Sequence, residues 1–264
     1  MKILFNIDYL TTYGEQLVLN IMGEDGSAAE CHTMSTRDGH EWTFDYNMPT
    51  PQQNTTIIYY YSVKRGDSVL RTEWLTEPHS QELQPDMLRY TLYDRWSEIP
   101  EDSYLYSSAF TDCVAKRTAP GAEKGGGGRP AHFNSQLILK VRAPQLRADE
   151  RLAVAGQATY LGGWDLQKTH RMAEQQPNEW VAVLDATRLP DDVEMKFVAL
   201  RDNGDVAWEE GENRHLLLRQ TQRGEALCHE MPQPHFDIKP WKGAGTVIPV
   251  FSLRSEGSFG VGDF

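Results

Sequence analysis

Val193-Glu194-Met195-Lys196-Phe197-Val198-Ala199-Leu200 runs into Arg201-Asp202-Asn203-Gly204-Asp205 and then into Val206-Ala207-Trp208. In the first segment Val193, Met195, Phe197 and Ala199 recur at period two, the signature of a half-buried strand. Asn-Gly is the dipeptide that tight hairpin turns select, because both central positions need a positive φ. The stretch therefore predicts a strand over 193–200, a turn, and a return strand over 206–208. Glu209-Glu210-Gly211-Glu212-Asn213-Arg214 follows, six polar or glycine residues that put Trp208 at a strand end.

The same grammar extends outward. Gln136 to Val141, Leu152 to Gly156 and Trp180 to Leu184 read as earlier strands, and Leu216-Leu217-Leu218 as the start of a closing one. Trp180 opens its strand and is read as core, with a binding-site remnant as the alternative. Toward the N-terminus, residues 1–10 and Leu17 to Met22 read as strands around the turn Thr11-Thr12-Tyr13-Gly14, and 23–39 reads as a polar loop. Trp42, Phe44 and Tyr46 fall on one face of the next strand. Ile57 to Val63 is strongly β-prone. Arg65-Gly66-Asp67 turns it into a return over Val69 to Trp74, and Tyr90 to Tyr93 closes the set. Short strands at this spacing, with no long helix-period segment, predict an all-β fold of two antiparallel immunoglobulin-like β-sandwich modules in tandem. The order of features repeats, so residues 1–97 read as a divergent copy of 132–232. Between them, 98–131 is a connecting segment. Gly125 to Gly128 cannot hold packed structure and reads as a flexible linker; no G-K-S/T follows, which removes a phosphate-loop reading.

Composition narrows the function. The chain has 264 residues and a formal net charge of −12, against the basic stripe that nucleic acid requires and against anionic membranes. Cys31, Cys113 and Cys228 are widely spaced and odd in number, which fits neither a disulfide framework nor a zinc site. Residues 1–10 carry Asp8 and no long apolar run, so no signal peptide is read and a cytoplasmic location is expected. No cofactor, metal site or catalytic residue is expected in this chain.

Leu161-Gly162-Gly163-Trp164-Asp165 supplies a second tryptophan outside an apolar neighbourhood. The two glycines permit a tight turn and place Trp164 at its tip. A flat apolar ring with polar groups beside it suits a sugar: the ring covers the C–H face of a pyranose and the polar groups take the hydroxyls. A tryptophan in a β domain also serves as core, and both readings stay open for Trp42 and Trp74.

Taken together, Leu161 to Asp165, Trp180 ahead of an alternating strand, Met195-Lys196-Phe197 and Trp208 to Arg214 resemble the starch-binding module of carbohydrate-binding family twenty, known from the end of fungal glucoamylases. The resemblance covers about residues 133–220. It implies a glucan site made by Trp164, Lys196, Trp208 and Asn213. The family's second-site tyrosine falls near Ala148, within Arg147-Ala148-Asp149, where this module departs from the pattern. Module one shows the reverse. Thr12-Tyr13-Gly14-Glu15-Gln16-Leu17 resembles the second-site motif, and Trp42 falls at the second-site tryptophan. Its first site is altered: Ala28 to Cys31 replaces the glycine turn, Tyr59-Tyr60-Tyr61 lacks the lysine, and Trp74 stands as the counterpart of Trp208. The implied contacts are thus Trp164, Lys196, Trp208, Asn213, Tyr13 and Trp42.

Residues 233–264 fit neither module. Ala244 to Ser255, then Ser258-Phe259-Gly260-Val261-Gly262-Asp263-Phe264, is similar to the first strand and helix start of the (β/α) barrel of amylomaltases, glycoside hydrolase family seventy-seven. Tandem modules ahead of that barrel resemble the plant cytosolic disproportionating enzymes and their bacterial relatives, which are 4-α-glucanotransferases. That resemblance implies catalysis by a carboxylate nucleophile and a second carboxylate as acid and base, both in a barrel truncated here. The expected partner is an α-glucan, with a homodimer left open. A non-catalytic scaffold for glycogen or starch, and a protein-interaction sandwich with every tryptophan in its core, are the competing readings.

Overall fold

The computed structural model describes residues 1–236, leaving aside 24, 25, 27, 101, 102, 104–131, 145, 147–149, 177 and 202. The first half contains β1 (Lys2–Asp8), β2 (Gln16–Met22), β3 (Ala28–Thr33), β4 (Ser35–Thr36), β5 (Glu41–Asn47), β6 (Thr55–Arg65), β7 (Ser68–Thr72), β8 (His79–Leu83) and β9 (Arg89–Arg95). The second contains β10 (Ser135–Arg142), β11 (Glu150–Gly156), β12 (His170–Arg171), β13 (Ala173–Gln176), β14 (Glu179–Asp185), β15 (Asp192–Arg201), β16 (Val206–Trp208), β17 (Arg214–Leu217) and β18 (Glu225–Met231). Short 3₁₀ turns at Thr159–Leu161, Leu166–Lys168 and Ala186–Arg188 interrupt the second half. The all-β sandwich expected from period-two patterning is the fold.

The strands form three sheets. A five-stranded sheet has the order β3-β2-β6-β7 with β8 on β6, and another has β12-β11-β15-β16 with β17 on β15. The third is shared by both halves: eight strands in the order β13-β14-β10-β18-β9-β1-β5-β4. Its central neighbours β10, β18, β9 and β1 pair parallel, a departure from the purely antiparallel expectation. The join is β9 against β18, in register from Arg89↔Glu225 to Tyr93↔His229.

Because side chains alternate across a sheet, β18 serves two cores. Ala226 and Cys228, with Ile138 and Val181, join the core of Ile3, Phe5, Leu19, Tyr59 and Leu92. Leu227 faces the other way, into the core of Leu139, Val154, Trp180 and Phe197. The two sandwiches lie on opposite faces of one sheet and are fused along it.

Several elements differ from the sequence expectation. The closing strand is β18, while Leu216 and Leu217 lie in β17, in the other sheet. In β18 the longest apolar run is Ala226-Leu227-Cys228, too short to announce a central strand. β8 was not expected because His79-Ser80-Gln81 is polar, yet all three are buried. β3 and β4 replace part of the polar loop; they are solvent-facing edge strands held by main-chain pairing to β2 and β5.

The seam buries charge. His79 is sandwiched between Glu73, at 3.0 Å from Nε2, and Glu230 of the second half, at 2.7 Å from Nδ1. The Tyr59 and Tyr61 hydroxyls donate to Asp94 at 3.0 and 2.6 Å. Lys140 donates to the Ser80 carbonyl across the seam, and Arg142 to the Glu77 carbonyl at 2.8 Å. Charges this deep are tolerated only when paired and hydrogen-bonded.

This network also aligns the repeat. The Glu73 N–H donates to the Tyr61 carbonyl and its carboxylate accepts the Tyr61 N–H; Glu209 does the same with Phe197. His79 lies opposite Tyr59, and Arg214 opposite Met195. His79 holds Glu73 as Arg214 holds Glu209. Tyr61 therefore matches Phe197, which makes Tyr60 the counterpart of Lys196 and Thr72 that of Trp208. Trp74 is not the counterpart of Trp208; it falls two residues later, beyond β7.

The network makes stability depend on pH with a definite sign. Burial opposes the charge on His79, but Glu230 and Glu73 outweigh it and raise its pKa well above 6.5. Stabilisation from its proton is full below about 6.5 and lost as pH rises through the elevated folded value. Burial, aided by Glu230, pushes Asp94 up to about 7 against the pull of His79 and both tyrosines, a loss of the same sign between 3.8 and about 7. Glu230 is held near 2 because His79 overcomes its burial, so its contribution disappears as pH falls from 4.5 toward 2. The thermal midpoint should fall as pH rises above 6.5, by about 2–4 °C per kcal/mol lost. His79→Gln should cost about 3–5 kcal/mol at neutral pH and flatten that limb. Calorimetric melts across this range check it, and an unmodified protein with a flat limb above 6.5 contradicts the account.

Candidate functional site

The site begins where β11 ends. A Cβ on Gly156 would stand 2.5 Å from the Glu194 carbonyl oxygen and 2.7 Å from Leu161 Cδ1, so only glycine lets the turn approach β15 this closely. Leu161 is buried and anchors the turn in the core. Gly162, Gly163 and Trp164 then have φ of 92°, 57° and 66°, three consecutive left-handed residues. The Trp164 N–H donates back to the Gly156 carbonyl at 3.0 Å. A left-handed non-glycine residue costs on the order of 1–3 kcal/mol, and such strain gathers at functional sites. Asp165 caps the following turn through the Gln167 N–H and pairs with Lys168, whose hydrogen bond lowers its pKa.

β15 brings the other half. Met195 and Phe197 point into the core, and Lys196 lies on the opposite face by strand alternation. Val198 lies opposite Trp208 in the β15–β16 register. Trp208 is 36% exposed, and its ring lies 6.1 Å from that of Trp164 at an interplanar angle of 54°. Two half-open indoles thus meet as a tilted pair, suited to a curved or twisted surface more than to a flat one. Lys196 Nζ donates to the Glu209 and Gly211 carbonyls at 3.2 and 2.7 Å, fixing the loop after Trp208. Asn213 Nδ2 donates to Glu194 at 2.6 Å, which leaves the Asn213 amide oxygen as an acceptor. The structure brings Trp164, Lys196, Trp208 and Asn213 to this region together.

Beneath them lies a support that sequence reasoning missed. Buried Glu209 accepts from the Phe197 N–H at 2.8 Å and from Arg214 Nε at 2.9 Å, and the Arg214 guanidinium lies over the Phe197 ring at 4.9 Å. Glu209 and Arg214 stand five apart in the same polar run as Trp208. The matching Glu73 and His79 in the first half were the available signal.

The first half fares differently. Tyr13 is 104% exposed, at the tip of a turn in which Glu15 accepts the Thr12 N–H at 3.0 Å and pairs with Arg71 at 2.6 Å. The Thr12 N–H first, then Arg71, holds the Glu15 carboxyl below its usual range. Trp42 is corrected: it is 4% exposed, lies opposite Ile7, and its Nε1–H donates to the Tyr9 carbonyl at 3.1 Å. It is core and offers no face to a ligand. Trp180, opposite Val141, is likewise core. Tyr9 and Trp96 are partly open aromatics of this half, with ring centroids 4.2 Å apart and a 32° tilt.

Other expectations sort quickly. Arg147 to Asp149 and the tail 237–264 lie outside the described residues. His79, Asp94 and Glu230 offer ligand atoms within 4.8 Å of one another, but each is committed to the seam network. Among the described residues, no helix is long and apolar enough to cross a membrane.

Residues 135–227 match the family model described as the starch binding domain. The whole chain aligns with 4-alpha-glucanotransferase DPE2 of Oryza sativa subsp. japonica, 23% identical over 282 residues. That alignment covers 100% of this chain and 29% of the relative, so the chain spans under a third of its length. Among solved structures, the chain is similar to a glycoside hydrolase family 15 glucoamylase from Hypocrea jecorina, at 18% identity and TM-score 0.32, covering 40% of this chain and 18% of that one. It is also similar to the family 20 module of a maltotetraose-forming amylase from Pseudomonas saccharophila STB07, at 18% identity and TM-score 0.30, covering 36% of this chain and 99% of that one. The segment that carries Trp164, Lys196, Trp208 and Asn213 is the segment matched by the starch-binding model.

Proposed function

We propose that this chain binds α-1,4-glucan and presents it to a 4-α-glucanotransferase catalytic domain in the cytoplasm, taking no part in the chemistry itself. One observation carries the reading: the tilted Trp164–Trp208 pair, built by a strained glycine turn, within the segment that the starch-binding model matches. The resemblance to the glucanotransferase supports the nature of the catalytic partner. The rings take the apolar face of the glucan, and Asn213 and the polar loop meet its hydroxyls. Tyr13 is the candidate contact of the first half, and Trp42 is not part of it.

Each stacked ring adds about 0.5–1.5 kcal/mol beyond burial, so single-site affinity is weak. Two sites on one polymer raise apparent affinity through effective concentration. Here the shared sheet sets the spacing between the halves, which favours long or branched glucan over maltose.

Trp164→Ala and Trp208→Ala should each weaken β-cyclodextrin binding at least about tenfold. Calorimetric titration checks this, with circular dichroism to confirm folding; unchanged affinity in both variants contradicts the reading. Gly156→Ala should abolish the same binding without touching a ligand contact, because the added methyl meets backbone at 2.5 Å. Tyr13→Ala should leave the melting midpoint and cyclodextrin binding by Trp164 unchanged while lowering glycogen affinity.

A further inference from the structure

β18 ends at Met231, but the chain does not leave the second half there. Residues 232–236 cross from the shared sheet to the strand that carries Trp208, where Phe236 forms an antiparallel bridge with Glu209. The Glu210 N–H donates to the His235 carbonyl at 2.7 Å. Pro234 is buried, and Phe236 packs against the second core.

Alternation fixes which side of the loop this crossing occupies. Successive N–H groups along an extended chain point to opposite sides. The Glu209 N–H donates to the Phe197 carbonyl of β15 at 3.1 Å, so the Glu210 N–H points away from β15, beyond the outer edge of β16. Residues 235 and 236 run along that edge and cover it. Bridged residues share a face, so Phe236 lies on the side of buried Glu209, opposite to Trp208. Phe236 therefore meets the core beneath the candidate surface and not a sugar above it.

The loop it borders projects into solvent. Glu210, Gly211, Glu212 and Asn213 are exposed, and Gly211 takes a φ of 85° with nothing within 4 Å of where a Cβ would stand. Its main chain is tied at three successive residues: Glu209 to β15, Glu210 to His235, and Gly211 to Lys196 Nζ at 2.7 Å. Two of these ties come from β15, and the third comes from the segment by which the chain leaves the module. We propose that residues 232–236 are a coupling strap, which positions the loop from Trp208 to Asn213 for glucan and is itself tightened when glucan binds there. Phe236 is its positioning residue. Coupling is reciprocal: strap docking raises sugar affinity by the factor by which sugar favours docking. The inference rests on the glucan reading above and adds that the path of the chain out of the module is set by the loop that holds the sugar.

The test is calorimetric titration of the full chain with β-cyclodextrin. Phe236→Ala should weaken binding at least about fivefold, and Phe236→Leu should recover most of it. In the sugar-free ¹H–¹⁵N spectrum of Phe236→Ala, the amides of 209–213 should shift while those of 161–163 stay, because Gly156 and Leu161 build that turn without the strap. A purely destabilising change would lower the melting midpoint without that pattern. If Phe236→Ala folds poorly, the unmodified chain still decides. Labelled with fluorophenylalanine, its Phe236 signal, assigned by loss in Phe236→Leu, should shift saturably with the sugar although the ring lies on the core face. Unaltered affinity in folded Phe236→Ala, or a Phe236 signal indifferent to saturating sugar, would overturn the strap. Binding by the unmodified chain that is lost in Trp208→Ala would then leave the glucan reading standing, whereas no binding by the unmodified chain overturns both.

Discussion

The parallel pairing of β9 with β18 is the constraint on which the rest depends. It fuses two sandwiches into one sheet and obliges β18 to serve a core on each face. Ala226 and Cys228 pack toward the first core and Leu227 toward the second. The same pairing sets Glu230 beside His79 and so closes a buried ionic clamp between the halves. The cost of burying those charges is offset only while the register holds, which ties the position of each half to the other.

From that frame the candidate surface follows in short steps. Fusion leaves the sheet of β11, β15, β16 and β17 with an outer face away from the second core. The turn after Gly156 and the loop after Trp208 meet at its end. Glu209, held by Arg214 and the Phe197 N–H, sets the second of these, and Gly156 sets the first. The first half keeps the equivalent carboxylate, Glu73, but directs it inward to His79 and the seam. The same buried-carboxylate arrangement thus shapes the loop after Trp208 in one half and an interface in the other.

How far the sequence disclosed this depends on how local each feature is. The hairpin over 193–208 was legible because period-two alternation and Asn-Gly are short-range signals. Trp164 and Trp208 were legible as surface groups because glycine and polar residues surround them. Trp42 was not, since alternation places Trp42, Phe44 and Tyr46 on one face without saying which face is buried. β8 and β18 were illegible because their burial is satisfied by partners elsewhere: His79 by Glu73 and Glu230, Glu225 by Arg219 and the Gln222 N–H. The shared sheet itself leaves no local pattern, because it pairs strands that belong to different halves of the chain.

The central claim is that Trp164 and Trp208 present the glucan-binding surface while Trp42 and Trp180 are structural. The most direct measurement is the two-dimensional ¹H–¹⁵N spectrum of the indole N–H groups of the chain's seven tryptophans during titration with β-cyclodextrin. The account predicts saturable shifts at Trp164 and Trp208 with Trp42 and Trp180 unmoved. Shifts confined to other tryptophans, or none at saturating sugar, would contradict it.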